Sequence, residues 1–126
     1  MKKILAPISI GELIDKITIL EIKEKHMTGE KLENVKKELD YLLVISKENN
    51  INLKNQNVDR LRSINQELWN IEDEIRKKEL KKSFAKSFID LARSVYIKND
   101  MRSFLKKTIN IEYGSDLIEE KSYESD

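Results

Sequence analysis

Leu61, Ile64, Leu68, Ile71 and Ile75 recur at alternating intervals of three and four residues. Only an α-helix keeps such positions on one side, because about 3.6 residues complete a turn. Little in the chain opposes that geometry. Its 126 residues include three Gly and one Pro, with 39% hydrophobic and 37% charged residues. Long stretches of Lys, Glu, Leu and Ile between so few breakers favour helix throughout. The expectation is an all-α fold, an antiparallel bundle of four or five helices, built as a single helical domain over residues 1–126. Residues 1–8 read as an arm laid on the core, and residues 116–126 as an ordered acidic tail that closes it.

The first helix has a clear start. Ser9 precedes Glu12 by three residues, the spacing of a capping box, and Ile8 can staple onto Leu13. Ile10, Leu13, Ile14, Ile17 and Leu20 form its stripe, Ile19 and Ile22 widen it, and Thr28 and Gly29 punctuate its end. A second helix over about residues 30–46 carries Leu32, Val35, Leu39 and Leu42 in seam spacing. Residues 47–57 contain five asparagines, at 49, 50, 52, 55 and 57, and read as a loop. The third helix spans about residues 58–80, with Trp69 beside its seam. The matching seams predict that helices two and three zip into an antiparallel hairpin, with the first and last helices packing across it.

The last helix starts near Ser83 with Phe84, Phe88, Leu91 and Val95 on one stripe. Extending that face calls for apolar residues where the chain supplies Lys98, Asn99, Arg102 and Lys106. Apolar residues return at Met101, Leu105 and Ile109, rotated by about 80° around the helix. Either the helix breaks at Asn99, a good N-cap, or polar groups point at the body of the protein and need partners there. On a continuous helix the polar set forms two stripes: Arg93, Tyr96 and Asp100, and Asn99, Arg102, Lys106 and Asn110. These seven residues are the candidate anion site, since guanidinium groups suit carboxylates and phosphates. The competing expectation is an internal seam, in which Arg93 or Arg102 pairs with Glu119 and Glu120. Charge favours that docking: residues 77–107 carry a net charge of +7 and residues 116–126 a net of −4.

Several chemistries are excluded or disfavoured. The chain has no Cys and one His, His26, which leaves no thiolate site and no His-based metal site or triad. His26 reads as a favourable cation at a helix C-terminus. Glu72, Asp73 and Glu74 precede Arg76, Lys77 and Lys78 by four residues each, a self-paired surface rather than a metal site. No metal and no cofactor is expected. Glu21 and Glu24 resemble the first Glu-x-x-Glu element of helical nucleotide pyrophosphohydrolases, but Lys37 stands where the second element needs an acid. Arg93, Arg102 and Lys106 could clamp a dicarboxylate as in chorismate mutase, but the first helix has no Arg and Lys16 would have to substitute. A net charge of +1, interleaved acids and sparse aromatics argue against a nucleic-acid face. No segment approaches the roughly 20 apolar residues of a membrane span. A cytoplasmic setting is expected.

The runs 11–23 (GELIDKITILEIK), 68–76 (LWNIEDEIR), 91–96 (LARSVY) and 117–123 (LIEEKSY), with Pro7, Asn99, Asp100, Arg102, Lys106, Ile109 and Asn110, resemble a small bacterial and phage family of unknown function. The resemblance covers nearly the whole chain and departs mainly in the Asn-rich loop. It implies a setting near glycosyltransferases and surface-polysaccharide genes. It also adds weight to polar residues of the first helix, Glu12, Asp15, Lys16, Thr18 and Glu21, as groups facing the C-terminal set.

The leading expectation is a non-enzymatic accessory or protein-interaction module, self-associating through the hairpin of helices two and three. The alternative is a small helical enzyme or binder of an anionic, phosphorylated or sugar-linked metabolite. In that case Arg93, Arg102 and Lys106 bind charge, and Asp15, Glu21 or Asp100 orients it or acts as base.

Overall fold

The computed structural model describes residues 2–123, and within them four helices and no strand. They are α1 (Ile10–His26), α2 (Gly29–Glu48), α3 (Gln56–Leu80) and α4 (Lys86–Glu112). The all-α antiparallel bundle expected from the spacing is present. Tail residues Glu124 and Asp126 lie outside the described residues.

The central element is α1. Leu13, Ile14, Ile17, Leu20 and Ile22 are all buried, with Asp15 and Thr18 among them. A helix buried this far round has neighbours on more than one side, and α1 packs against α2, α3 and α4 alike. Val35 and Leu39 of α2 join the core there, together with Ile51 from the loop. On the other side Val58, Leu61 and Ile64 of α3 and Leu105 and Ile109 of α4 complete it.

The expected hairpin of helices two and three does not form. Among the described residues α2 packs on α1 alone, while α3 packs on α4 and α1. The seams of α2 and α3 have the same spacing, and spacing says that a helix wants a partner without saying which. The decisive clue is the width of the α1 stripe, which needs covering from two sides. Only Met27 and Thr28 separate α1 from α2, and a link that short makes α1 the first surface α2 can reach.

Local signals held well. Ser9 Oγ accepts from the Glu12 N–H at 3.0 Å and starts α1. Asn55, in the Asn-rich loop, caps α3 through Oδ1, which accepts from the N–H groups of Asn57 at 2.8 Å and Val58 at 3.1 Å. Glu112 and Tyr113 then tie this loop to the end of α4, through Asn57 Nδ2 to Glu112 at 2.8 Å and the Tyr113 hydroxyl to the Asn52 carbonyl at 3.0 Å. The helix α4 runs unbroken through Asn99, so its polar stripe is presented to the protein body.

Candidate functional site

Where α1, α3 and α4 meet, a carboxylate sits at the centre of a polar cluster. Asp15 is fully buried. Ionised residues reach that depth when they are paired and hydrogen-bonded. Arg102 supplies both needs: Nε donates to Asp15 Oδ1 at 3.0 Å, and Nη2 donates to Oδ2. Asn65 Nδ2 adds a bond to Oδ1 at 2.9 Å and gives its other hydrogen to Thr18 Oγ1 at 2.8 Å. The Thr18 hydroxyl in turn donates to the Asp15 carbonyl at 2.8 Å. Each side chain in this chain is held by the next.

One turn further along α4, the buried Lys106 extends the cluster. Its Nζ bonds Glu12 at 2.6 Å and Glu119 at 3.1 Å, and lies 3.9 Å from Asp15 Oδ2. Burial is the largest influence on this ammonium and pulls its pKa down. The carboxylates of Glu12, Asp15 and Glu119 outweigh it, and the lysine sits above its ordinary value. The Arg102 guanidinium is likewise raised, first by its hydrogen bond to Asp15 and then by the fields of Asp15, Glu12 and Glu119, against burial. Both cations are therefore locked in the charged form. Since Glu12 is held by Lys106, the capping box at the start of α1 is only half made, with the Ser9 bond alone.

The last residue of the inner stripe does a different job. Asn110 Oδ1 accepts from the Gly11 N–H at 2.6 Å, and Ser115 Oγ accepts from the Ile10 N–H at 3.1 Å. With Ser9 Oγ accepting from Glu12, the free N–H groups of the first three helical residues, Ile10, Gly11 and Glu12, are all satisfied, and the Ser9 carbonyl takes the first regular helix bond from Leu13. That helix end, which could otherwise hold an anion, is filled by the chain itself. Gly11 is required at this crossing. A Cβ there would overlap the Lys106 carbonyl oxygen and stand 3.0 Å from Asn110 Oδ1.

The structure thus divides the seven candidates. Asn99, Arg102, Lys106 and Asn110 turn inward; Arg102 and Lys106 line up beside Asp15 and Glu12, and Asn99 Oδ1 reaches only Arg102, at 3.5 Å. Arg93, Tyr96 and Asp100 are exposed on the outer side of α4. Of the facing residues, Asp15 joins the cluster, whereas Glu21 pairs with Arg62 of α3 at 3.3 Å and Lys16 with Glu38 of α2 at 3.8 Å. The tail docks through different cations from those expected: Glu119 meets Lys106, and Glu120 meets Lys107 at 3.0 Å. Arg102 is taken by Asp15, and Arg93 makes no ion pair among the described residues.

Asn65 escaped the sequence reading, although it sits one turn from Leu61 on the buried side of α3, where an amide needs a reason. Elsewhere His26 stacks on Trp69 with ring centroids 4.9 Å apart, which adds a packing role to its place at the end of α1. Of the pairs expected along residues 72–78, Glu72–Arg76 forms at 2.7 Å, while Glu74 reaches Lys77 instead of Lys78. Among the described residues no group of three or more acidic or His side chains is placed to hold a metal ion. Nor is any helix there long and apolar enough to cross a membrane.

Fold and cluster together define a four-helix protein whose central helix is clamped to its last by buried ion pairs. The chain belongs to a family of unknown function, DUF6165, matched over residues 4–126. No curated protein and no solved structure matches it.

Proposed function

We propose that the chain is a single-domain, non-enzymatic interaction module acting in the cytoplasm, and that the inward polar stripe of α4 is a structural clamp. One observation carries this reading: the inward cations are already matched by the protein's own carboxylates. Arg102 and Lys106 face Asp15 and Glu12, which balance them before Glu119 adds a third negative charge. An anion arriving there would meet a net negative cluster. The setting implied by the resemblance, near glycosyltransferases of surface-polysaccharide assembly, suggests where its partners act.

A second reading keeps one supporting observation. A polar pocket of about 220 Å³ opens beside Arg102, lined also by Glu12, Asp15, Lys16, Lys23 and Glu38. Its size and mixed charge suit a small zwitterionic or sugar-linked ligand better than a bare anion.

A thermal-shift screen with sugar nucleotides, sugar phosphates and Mg²⁺ separates the two. The interaction reading expects no ligand to raise the melting temperature, and Arg102→Ala only to lower it. A ligand that stabilises the protein, and stops doing so in Arg102→Ala, would establish the binder instead.

A further inference from the structure

On the face of α4 away from the ion cluster, Ile97, Met101, Phe104 and Ile111 are 46%, 44%, 71% and 65% exposed. With Thr108 they recur at intervals of four, three, four and three residues. That is the seam of a helix built to pack on another helix. Apolar side chains aligned over four turns differ from the scattered exposure that is normal on a surface. No helix of the fold covers them, since α4 packs only on α1 and α3 among the described residues. Beside the line, between α3 and α4, runs an open groove of about 640 Å³ whose floor includes Ile64, Met101 and Leu105.

Charge order selects the occupant. Asp100 and Lys107 are both exposed on one edge of this seam, on either side of Phe104. A second α4 laid parallel about a two-fold axis would turn its opposite edge toward this one, and Asp100 and Lys107 would find no counterpart. Laid antiparallel about a two-fold axis at Phe104, each Asp100 meets Lys107 of the other copy and Ile97 meets Ile111. Each Phe104 then enters the opposite groove. A two-fold contact must be complementary to itself, and this edge is. Lys107 also donates to both Glu120 oxygens at 3.0 Å, but an ammonium has three hydrogens and can serve two carboxylates. The geometry points to a second copy of this chain, bound antiparallel through α4, as the partner. The inference rests on the interaction-module reading and names its surface.

Sedimentation velocity on the full chain over a concentration series tests it. A dimer is expected, and Phe104→Glu should give a monomer with unchanged helical circular dichroism. Asp100→Lys should raise the dimer dissociation constant about tenfold, as like charges meet. Adding Lys107→Asp in the same chain should restore it. Because the chain has no Cys, direction can be read chemically. Oxidising a mixture of Ile97→Cys and Ile111→Cys chains should give a mixed disulfide dimer, and neither chain alone should cross-link. A wild-type chain that stays monomeric at the highest concentration overturns the proposal. So does a dimer indifferent to Phe104→Glu, or self-cross-linking of Ile97→Cys. A monomer with a blank ligand screen sinks the second copy and leaves the interaction reading standing. A ligand shift lost in Arg102→Ala sinks that reading whatever the assembly state.

Discussion

Arg102 on α4 grips Asp15 on α1 with two donors, Nε and Nη2, across 87 residues of sequence. The carboxylate has no exposure at all, while the guanidinium side chain keeps 28% of its own. The pair fixes rotation as well as distance, because a planar fork meets a planar carboxylate in one orientation. It sets which face of α4 looks at α1, and so which face is left outside. The clamp and the exposed seam are two sides of the same helix.

Removing one partner of such a pair strands the other. Arg102→Ala leaves a buried carboxylate with Asn65 and a distant ammonium, and should cost about 3 kcal/mol or more. The double variant Asp15→Leu/Arg102→Leu leaves no stranded charge of the pair and should recover at least half of the loss caused by Arg102→Leu alone. Urea unfolding of all variants, compared at constant slope, reads both effects. Additive losses would mean that the two side chains stabilise independently.

Gly11→Ala should destabilise, although alanine ordinarily favours a helix by about 1 kcal/mol. Here the new methyl would overlap a backbone carbonyl of α4, and backbone cannot rotate away as a side chain can. A net loss of about 1–3 kcal/mol is expected, as for other overpacked crossings. The same change at Gly29 meets no neighbouring atom, but its φ of 64° strains any side chain. Thermal unfolding of Gly11→Ala at or above the wild-type midpoint would show that α1 and α4 are less closely packed than described.

Most of the fold was legible because it depends on local rules. Ser9 announced the start of α1, the Asn-rich run announced a loop, and the seam of α3 announced its long run. Pairing was not legible, since the seams of α2 and α3 look alike and only the breadth of the α1 stripe distinguishes their partners. The candidate site was half legible. The misplaced polar stripe of α4 could be read from periodicity, because Arg102 and Lys106 stand where apolar groups were due. Its counterparts on α1 were named only through the family resemblance, since Asp15 looks like any polar residue of a helix until its neighbours are known, and Asn65 was missed because it lies inside a convincing apolar stripe.

Lys106 gives the clamp a defined alkaline limit. Its pKa in the folded protein lies above the ordinary 10.5, so the native state holds the proton more tightly than the unfolded chain. The associated stability is fully present below the unfolded value and is lost as pH rises through the folded one. Melting temperature should therefore fall above about pH 10.5 more steeply in the wild type than in Lys106→Met, which starts lower at neutral pH. Parallel curves for the two proteins would show that the ammonium contributes nothing specific.

Glu119 and Glu12 bond the same ammonium but should differ in weight. Glu12 sits on the rigid first turn of α1 at 2.6 Å, whereas Glu119 reaches in from the tail at 3.1 Å with 46% of its side chain exposed. A half-exposed ion pair held by an irregular segment contributes below about 1 kcal/mol, and less in salt. It also adds a third carboxylate beside two cations, which offsets part of its own attraction. Glu119→Gln should lower stability only slightly, and Glu12→Gln by clearly more, with the gap persisting in high salt because Lys106 is buried at that contact. Unfolding midpoints of the two variants at low and high salt decide it. Equal losses would make the tail as much a part of the clamp as α1.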